Sequence, residues 1–191
     1  MSSSAIFSPC RTYRYRLDRS WPGLFDVKQT ACWICLNGST AAEDENDPSL
    51  VRMMGFAQGW GYSGIIVVNA FGFAATDPKK LRTAKDPVGP ENDEHILQAI
   101  AESARLIVGW GAELDAFPAR NRALITMLYR TEIEQKGIYC LGTTRDYQPR
   151  HPLYLSRDTP LVRYDLDRAA RQIGIKYWDE RRRKEKVDGR R

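Results

Sequence analysis

Four short apolar runs punctuate the chain, each bounded by glycine or a polar residue: Ala31 to Leu36, Ile65 to Ala70, Leu106 to Trp110 and Ile138 to Leu141. Unbroken apolar runs of this length suit strands buried on both faces, as in a parallel sheet. Between them the apolar spacing becomes helical. Asp47-Pro48 opens a helix that carries Leu50, Met54 and Ala57 on one side and stops at Gly59; a second starts at Asn92 or Asp93 and carries Ile96, Leu97, Ile100 and Ala104. A third spans about Ala119 to Lys136 and ends at Gly137, and a last one runs from Asp165 to Ile173 before Gly174. Strand and helix alternating four times predicts an α/β fold, a three-layer α/β/α sandwich around a central four-stranded, mainly parallel sheet. With no internal repeat and no Ser/Gly/Pro linker, the expected organisation is a flexible N-terminus over 1–12, a single α/β domain over 13–174 and a basic C-terminal tail over 175–191.

In an open α/β sheet, ligands bind outside the carboxyl ends of the strands, so the residues that follow each run matter most. After the first come Asn37-Gly38-Ser39-Thr40; at the second, Asn69-Ala70-Phe71; at the third, Trp110-Gly111; after the fourth, Gly142-Thr143-Thr144 and then Arg150-His151-Pro152-Leu153-Tyr154. Four polar or aromatic clusters at one end of one sheet define a candidate pocket.

Composition narrows the class. At 191 residues, 42% hydrophobic and 28% charged, the chain is excluded from the disordered, collagen-like and cysteine-dense classes. No apolar run reaches a membrane-spanning length and the first residues lack a charged segment leading into an apolar one, so a cytoplasmic monomer without membrane contact is expected. The net charge of +5 is concentrated: residues 176–191 hold eight basic against four acidic residues. A second basic group, Arg11, Arg14, Arg16 and Arg19, interleaves with Tyr13 and Tyr15. Arg14, Arg16, Arg181, Arg182 and Arg183 are therefore candidate nucleic-acid contacts, the alternative being solvated termini. Cys32 and Cys35 form a C-x-x-C inside a strand, where residues three apart face opposite ways, which favours buried, reduced thiols over a redox or metal pair. Glu43, Asp44, Glu45 and Asp47 could hold a divalent ion with Asp77, but a solvated loop with Asp47 capping a helix is favoured, and neither a metal nor a cofactor is expected.

Phosphate-cradling glycine motifs and a G-x-S-x-G elbow are missing from the sequence, and His95 and His151 share no metal-ligand spacing. What remains is a pocket of amide, hydroxyl, imidazole and aromatic groups, which suits a planar heterocycle such as a nucleobase. Asn69 could read a base edge with its paired donor and acceptor, although a buried Asn at a strand end is more often a satisfied turn former. His151 lies in the rigid turn Pro149-Arg150-His151-Pro152 at the rim. Phe71, Trp110 and Tyr154 are candidates for stacking, with core packing as the alternative. Glu91-Asn92-Asp93 reads as a helix cap.

The order Asn37-Gly38-Ser39, Ile66-Val67-Val68-Asn69, Val108-Gly109-Trp110-Gly111 and His151-Pro152-Leu153 resembles the uracil-DNA glycosylase superfamily. More closely, Tyr13 to Tyr154 is similar to a prokaryotic family known as a domain of unknown function. That similarity rests on Tyr13-Arg14-Tyr15, Leu36-Asn37-Gly38-Ser39-Thr40-Ala41, Asp47-Pro48, Asn69-Ala70-Phe71, Ala75-Thr76-Asp77-Pro78, Gly89-Pro90-Glu91-Asn92-Asp93, Trp110-Gly111 and Pro149-Arg150-His151-Pro152-Leu153-Tyr154. The glycosylase resemblance implies a glycosylase-like sheet, Asn37 positioning an attacking water, Asn69 reading the base and His151 supporting the departing base. Asn37 and His151 are thus the expected catalytic pair, with Ser39, Thr40, Asn69, Phe71, Trp110, Arg150 and Tyr154 binding substrate. The expected function is an N-glycosylase that recognises and releases a modified or damaged base in DNA or RNA. The alternatives are a non-catalytic nucleobase or nucleic-acid reader, and an enzyme acting on a free nucleoside-like molecule.

Overall fold

The computed structural model describes residues 2–22, 29–38, 46–75, 77–130 and 137–175. The chain opens with an antiparallel pair, β1 (Ser2–Phe7) and β2 (Arg14–Ser20). The four apolar runs follow as β3 (Thr30–Asn37), β4 (Gly64–Phe71), β5 (Arg105–Val108) and β6 (Ile138–Cys140), paired in parallel in the order β4-β3-β5-β6. β2 lies antiparallel on β4, and β7 (Val162–Arg163) lies antiparallel on β6. The sheet is therefore mixed and, among the described residues, seven-stranded, in place of the four-stranded glycosylase-like sheet expected from the sequence. The three additional strands flank the parallel centre, β1 and β7 at the two edges and β2 between β1 and β4. β1 is rich in serine, β2 alternates arginine with tyrosine and leucine, and β7 has two residues, so none presents an apolar run. Residues 2–7, expected to lie outside the domain, are paired with β2 along their length. The basic tail from 176 onward lies outside the described residues.

Side chains alternate across the sheet and meet helices on both faces. Cys32, Ile34 and Leu36 of β3 and Ile66, Val68 and Ala70 of β4 pack with α2 (Asn92–Glu102), α3 (Pro118–Arg130) and α4 (Leu166–Gln172). Ala31, Trp33, Cys35, Ile65 and Val67 face the other way, against α1 (Pro48–Gly59). The period-two pattern of a strand buried on both sides thus fixes two cores. α1 is started by Asp47, whose carboxylate accepts from Leu50 N at 2.8 Å, and by Pro48. Its buried stripe is Leu50, Met53, Phe56 and Ala57, with Met54 at the margin, and on α2 Leu97 is exposed while Ala99 takes the inner position. Cys32 and Cys35 are free thiols in opposite cores, and burial pushes the Cys35 thiol up to about 12. Among the described residues, no helix is long and apolar enough to cross a membrane.

Candidate functional site

A cavity of about 370 Å³ opens at the carboxyl ends of β3, β5 and β6. Leu36 and Asn37 from β3 form one wall, Trp110, Gly111 and Glu113 after β5 a second, and Thr144, Arg150, His151, Leu153 and Tyr154 after β6 the third. The third wall is held by backbone hydrogen bonds: Gly111 N donates to Pro149 O at 2.9 Å and Arg150 N donates to Gly142 O at 3.0 Å. Gly111 sits at φ 77, a left-handed turn that a side chain would strain, and this turn lays the end of β5 against the His151 segment.

Asn37 is oriented by its own donors. Its Nδ2 donates to Ala75 O at 2.6 Å and, more weakly, to Gly38 O at 3.3 Å, which leaves Oδ1 as an acceptor beside the cavity. His151 is oriented by its acceptor. It caps the 3-10 turn Pro152–Tyr154, with Nδ1 accepting from Leu153 N at 3.3 Å, so the neutral ring carries its proton on Nε2. Burial holds the His151 pKa below its ordinary 6.5, with Asp47 and Glu113 pulling the other way. The site therefore combines a fixed carbonyl acceptor with a neutral imidazole donor.

The two aromatic residues differ. Trp110 is 1% exposed; its Nε1 donates to Gln148 Oε1 at 2.7 Å, Gln148 Nε2 donates to Asp115 at 2.5 Å, and the ring meets Tyr164 edge-on at 6.1 Å. It is a rigid part of the cavity wall. Tyr154 is 85% exposed at the mouth, an unusual position for a large ring, next to the exposed Arg150.

Other predicted residues lie elsewhere. Phe71 pairs in register with Asn37, but its ring is buried in the core under α2 and α3, meets Phe117 at 4.8 Å and does not line the cavity. Asn69 pairs with Cys35, two residues below Asn37 and roughly 6.6 Å deeper along the strand. It is 2% exposed, does not line the cavity, and offers its backbone carbonyl to Asn92 Nδ2 at 3.0 Å. Arg14 is 5% exposed, with its guanidinium over Gly38, where an added Cβ would sit 2.8 Å from Nε. Gly38 is thus the residue that lets this arginine pass behind the Asn37 turn, and burial lowers the arginine's pKa while Asp47 opposes the shift. Arg16 pairs with Asp18 at 2.7 Å and Glu102 at 2.6 Å. Neither arginine stands at the surface as a phosphate contact. Ser39, Thr40, Arg181, Arg182 and Arg183 lie outside the described residues.

Sequence reasoning passed over Glu113, which lines the cavity two residues after Gly111; Asp47, read as a cap, caps α1 and also acts on His151 and Arg14. It also read Asn92 as a cap. Asn92 is fully buried and clamps the end of β4, and Arg120 does the same from α3, donating to Ala70 O at 2.5 Å and pairing with Asp93 at 2.6 Å. A larger groove of about 720 Å³ runs past α1, Arg52 and Arg157, and of the strand-end residues singled out by the sequence only Leu153 lines it.

The model of DUF1643, described as a protein of unknown function, matches residues 14–153. The chain belongs to that family. The matched span runs from the start of β2 to the His151 turn and so contains the residues that line the cavity except Tyr154 and Leu155. No curated protein and no solved structure matches the chain, and nothing in these comparisons links it to the uracil-DNA glycosylases.

Proposed function

We propose that the cavity binds a nucleobase and that the protein is a hydrolase of N-glycosidic bonds, acting on a modified or damaged base in DNA or RNA. The observation that carries this reading is the pairing of Asn37 Oδ1, freed as an acceptor by its bond to Ala75, with a neutral His151 whose Nε2 is left to donate. Cleavage of an N-glycosidic bond builds positive charge on the sugar and negative charge on the leaving base. A carbonyl oxygen can hold the attacking water on the sugar side, and an imidazole N–H can stabilise the base carbonyl without first losing a proton. A volume of about 370 Å³ is sufficient for one heterocycle with its sugar, and Tyr154 stands where a ring could stack at the entrance.

One observation favours a second reading, that of a reader which binds the base without cutting it. Asn37 is an amide and cannot abstract a proton from water, so catalysis here needs a good leaving group. Mass spectrometry of bases released from single- and double-stranded DNA and RNA carrying deaminated, alkylated and hypermodified bases separates the two. Release that is lost in both Asn37→Ala and His151→Ala supports the hydrolase. Base binding without release supports the reader, and neither binding nor release discards both.

A further inference from the structure

The loop between β4 and α2 is closed on itself. Gly72 N donates to Val88 O at 3.0 Å, Phe73 N donates to Pro87 O at 3.1 Å, and Tyr13 Oη donates to Asp86 O at 3.0 Å. Its ends are thus joined, while the tip is a 3-10 turn, Pro78–Arg82, that buries Leu81 in the core. This is the build of an Ω-loop, compact and internally tied. The two carboxylates that flank the tip face backbone amides. Asp77 accepts from Lys79 N at 2.9 Å, and Asp86 accepts from Val88 N and Gly89 N, each at 3.0 Å.

Four exposed cations remain, Lys79, Lys80, Arg82 and Lys85, and none forms an ion pair among the described residues. Four like charges within seven positions repel one another, and a polyanion relieves that repulsion. The loop is also stitched to the cavity wall. Ala75 N donates to Gly38 O at 3.0 Å, and Ala75 O receives the 2.6 Å bond from Asn37. The tip begins at Pro78, three residues beyond that joint.

We propose that this loop is a phosphate clamp: Lys79, Lys80, Arg82 and Lys85 grip the backbone of a nucleic-acid strand whose base enters the cavity. The inference rests on the reading of the cavity as a nucleobase site. It moves the phosphate contacts from Arg14, which is buried, and Arg16, which is ion-paired, to a surface whose first cation lies four residues beyond the joint with Asn37.

The test uses the full chain, with fluorescence anisotropy of a labelled oligodeoxythymidylate as the binding probe. The variant Lys79→Gln, Lys80→Gln, Arg82→Gln, Lys85→Gln is compared with the wild type across salt concentrations. Arg122→Gln with Arg130→Gln on α3 controls for net charge. Each lost contact to a single strand removes about 0.7 from the slope of log affinity against log salt, so four remove about 2.8. Between about 50 and 200 mM salt, the wild type then loses about 50-fold more affinity than the loop variant. The control keeps the wild-type slope. The clamp is overturned if the wild type does not bind the oligonucleotide, if the loop variant keeps its slope, or if the control loses as much per charge. Loop-dependent binding with no recognition or release of any base would uphold the clamp and remove the reading of the cavity. Base release with loop-independent binding would do the reverse.

Discussion

Replacing Asn37 by aspartate separates what the amide nitrogen does for the fold from what the oxygen does for the site. Nδ2 gives its proton to Ala75 O at 2.6 Å and so ties the end of β3 to the loop after β4. In Asn37→Asp this donor becomes a carboxylate oxygen facing a carbonyl oxygen. Losing the bond and leaving the acceptor unpaired costs about 1–3 kcal/mol, a fall of several degrees in Tm for a chain of this size. The penalty depends on pH. A carboxyl that must face a carbonyl is easier to keep protonated, which restores a donor, so its folded pKa lies above the unfolded value of about 3.9. The folded variant therefore binds the extra proton more readily than the unfolded chain, and its deficit against wild type shrinks as pH falls toward that raised pKa. Urea denaturation of both proteins at neutral pH and near pH 5 reads this difference. Equal stability at neutral pH, or a deficit that widens on acidification, would refute the role assigned to the Asn37–Ala75 bond.

Three further outcomes follow from the same geometry. Because burial lowers the His151 pKa below 6.5, the unfolded chain takes up this proton first, so the contribution of His151 to stability is full above about pH 6.5 and is lost as pH falls through the folded value; the slope of Tm against pH in that window flattens in His151→Ala. Gln148→Leu leaves the buried Trp110 indole N–H without its 2.7 Å acceptor and should destabilise by about 1–3 kcal/mol in chemical denaturation. Tyr154→Ala should leave stability within about 0.5 kcal/mol, since the ring is 85% exposed, while weakening nucleobase binding by about tenfold in calorimetry if the ring stacks on the base.

The central strands were legible because burial on both faces writes a continuous apolar run, and each of the four runs is a strand in the parallel centre. The flanking strands were not, since β1 and β7 bury little and β2 carries arginines on the positions that turn inward. Arg14 looks like a surface cation in sequence, and only the packing of β2 against the Asn37–Gly38 turn reveals it as a buried one. At the site, Asn37, Trp110, Arg150, His151 and Tyr154 could be picked out because they stand where strands end, and one cavity gathers them. Asn69 and Phe71 also stand at a strand end. Register decides their fate: β4 is placed so that Phe71, rather than Asn69, lies level with Asn37, and sequence carries no direct trace of that offset. The cationic Ω-loop was visible only as a scatter of lysines until its closing bonds and its joint with Asn37 were in place.

In the proposed site a neutral His151 offers Nε2–H to the same space that Asn37 faces with a carbonyl. Long-range nitrogen–proton NMR of the histidine rings, with His151→Ala for assignment, tests this directly at pH 7 with and without added nucleobases. The predicted result is a neutral His151 ring with its proton on Nε2 and a shift of that signal when a base binds, smaller in Tyr154→Ala at the same sub-saturating base concentration. A His151 ring protonated on Nδ1, charged at pH 7, or indifferent to every base in the panel would contradict it.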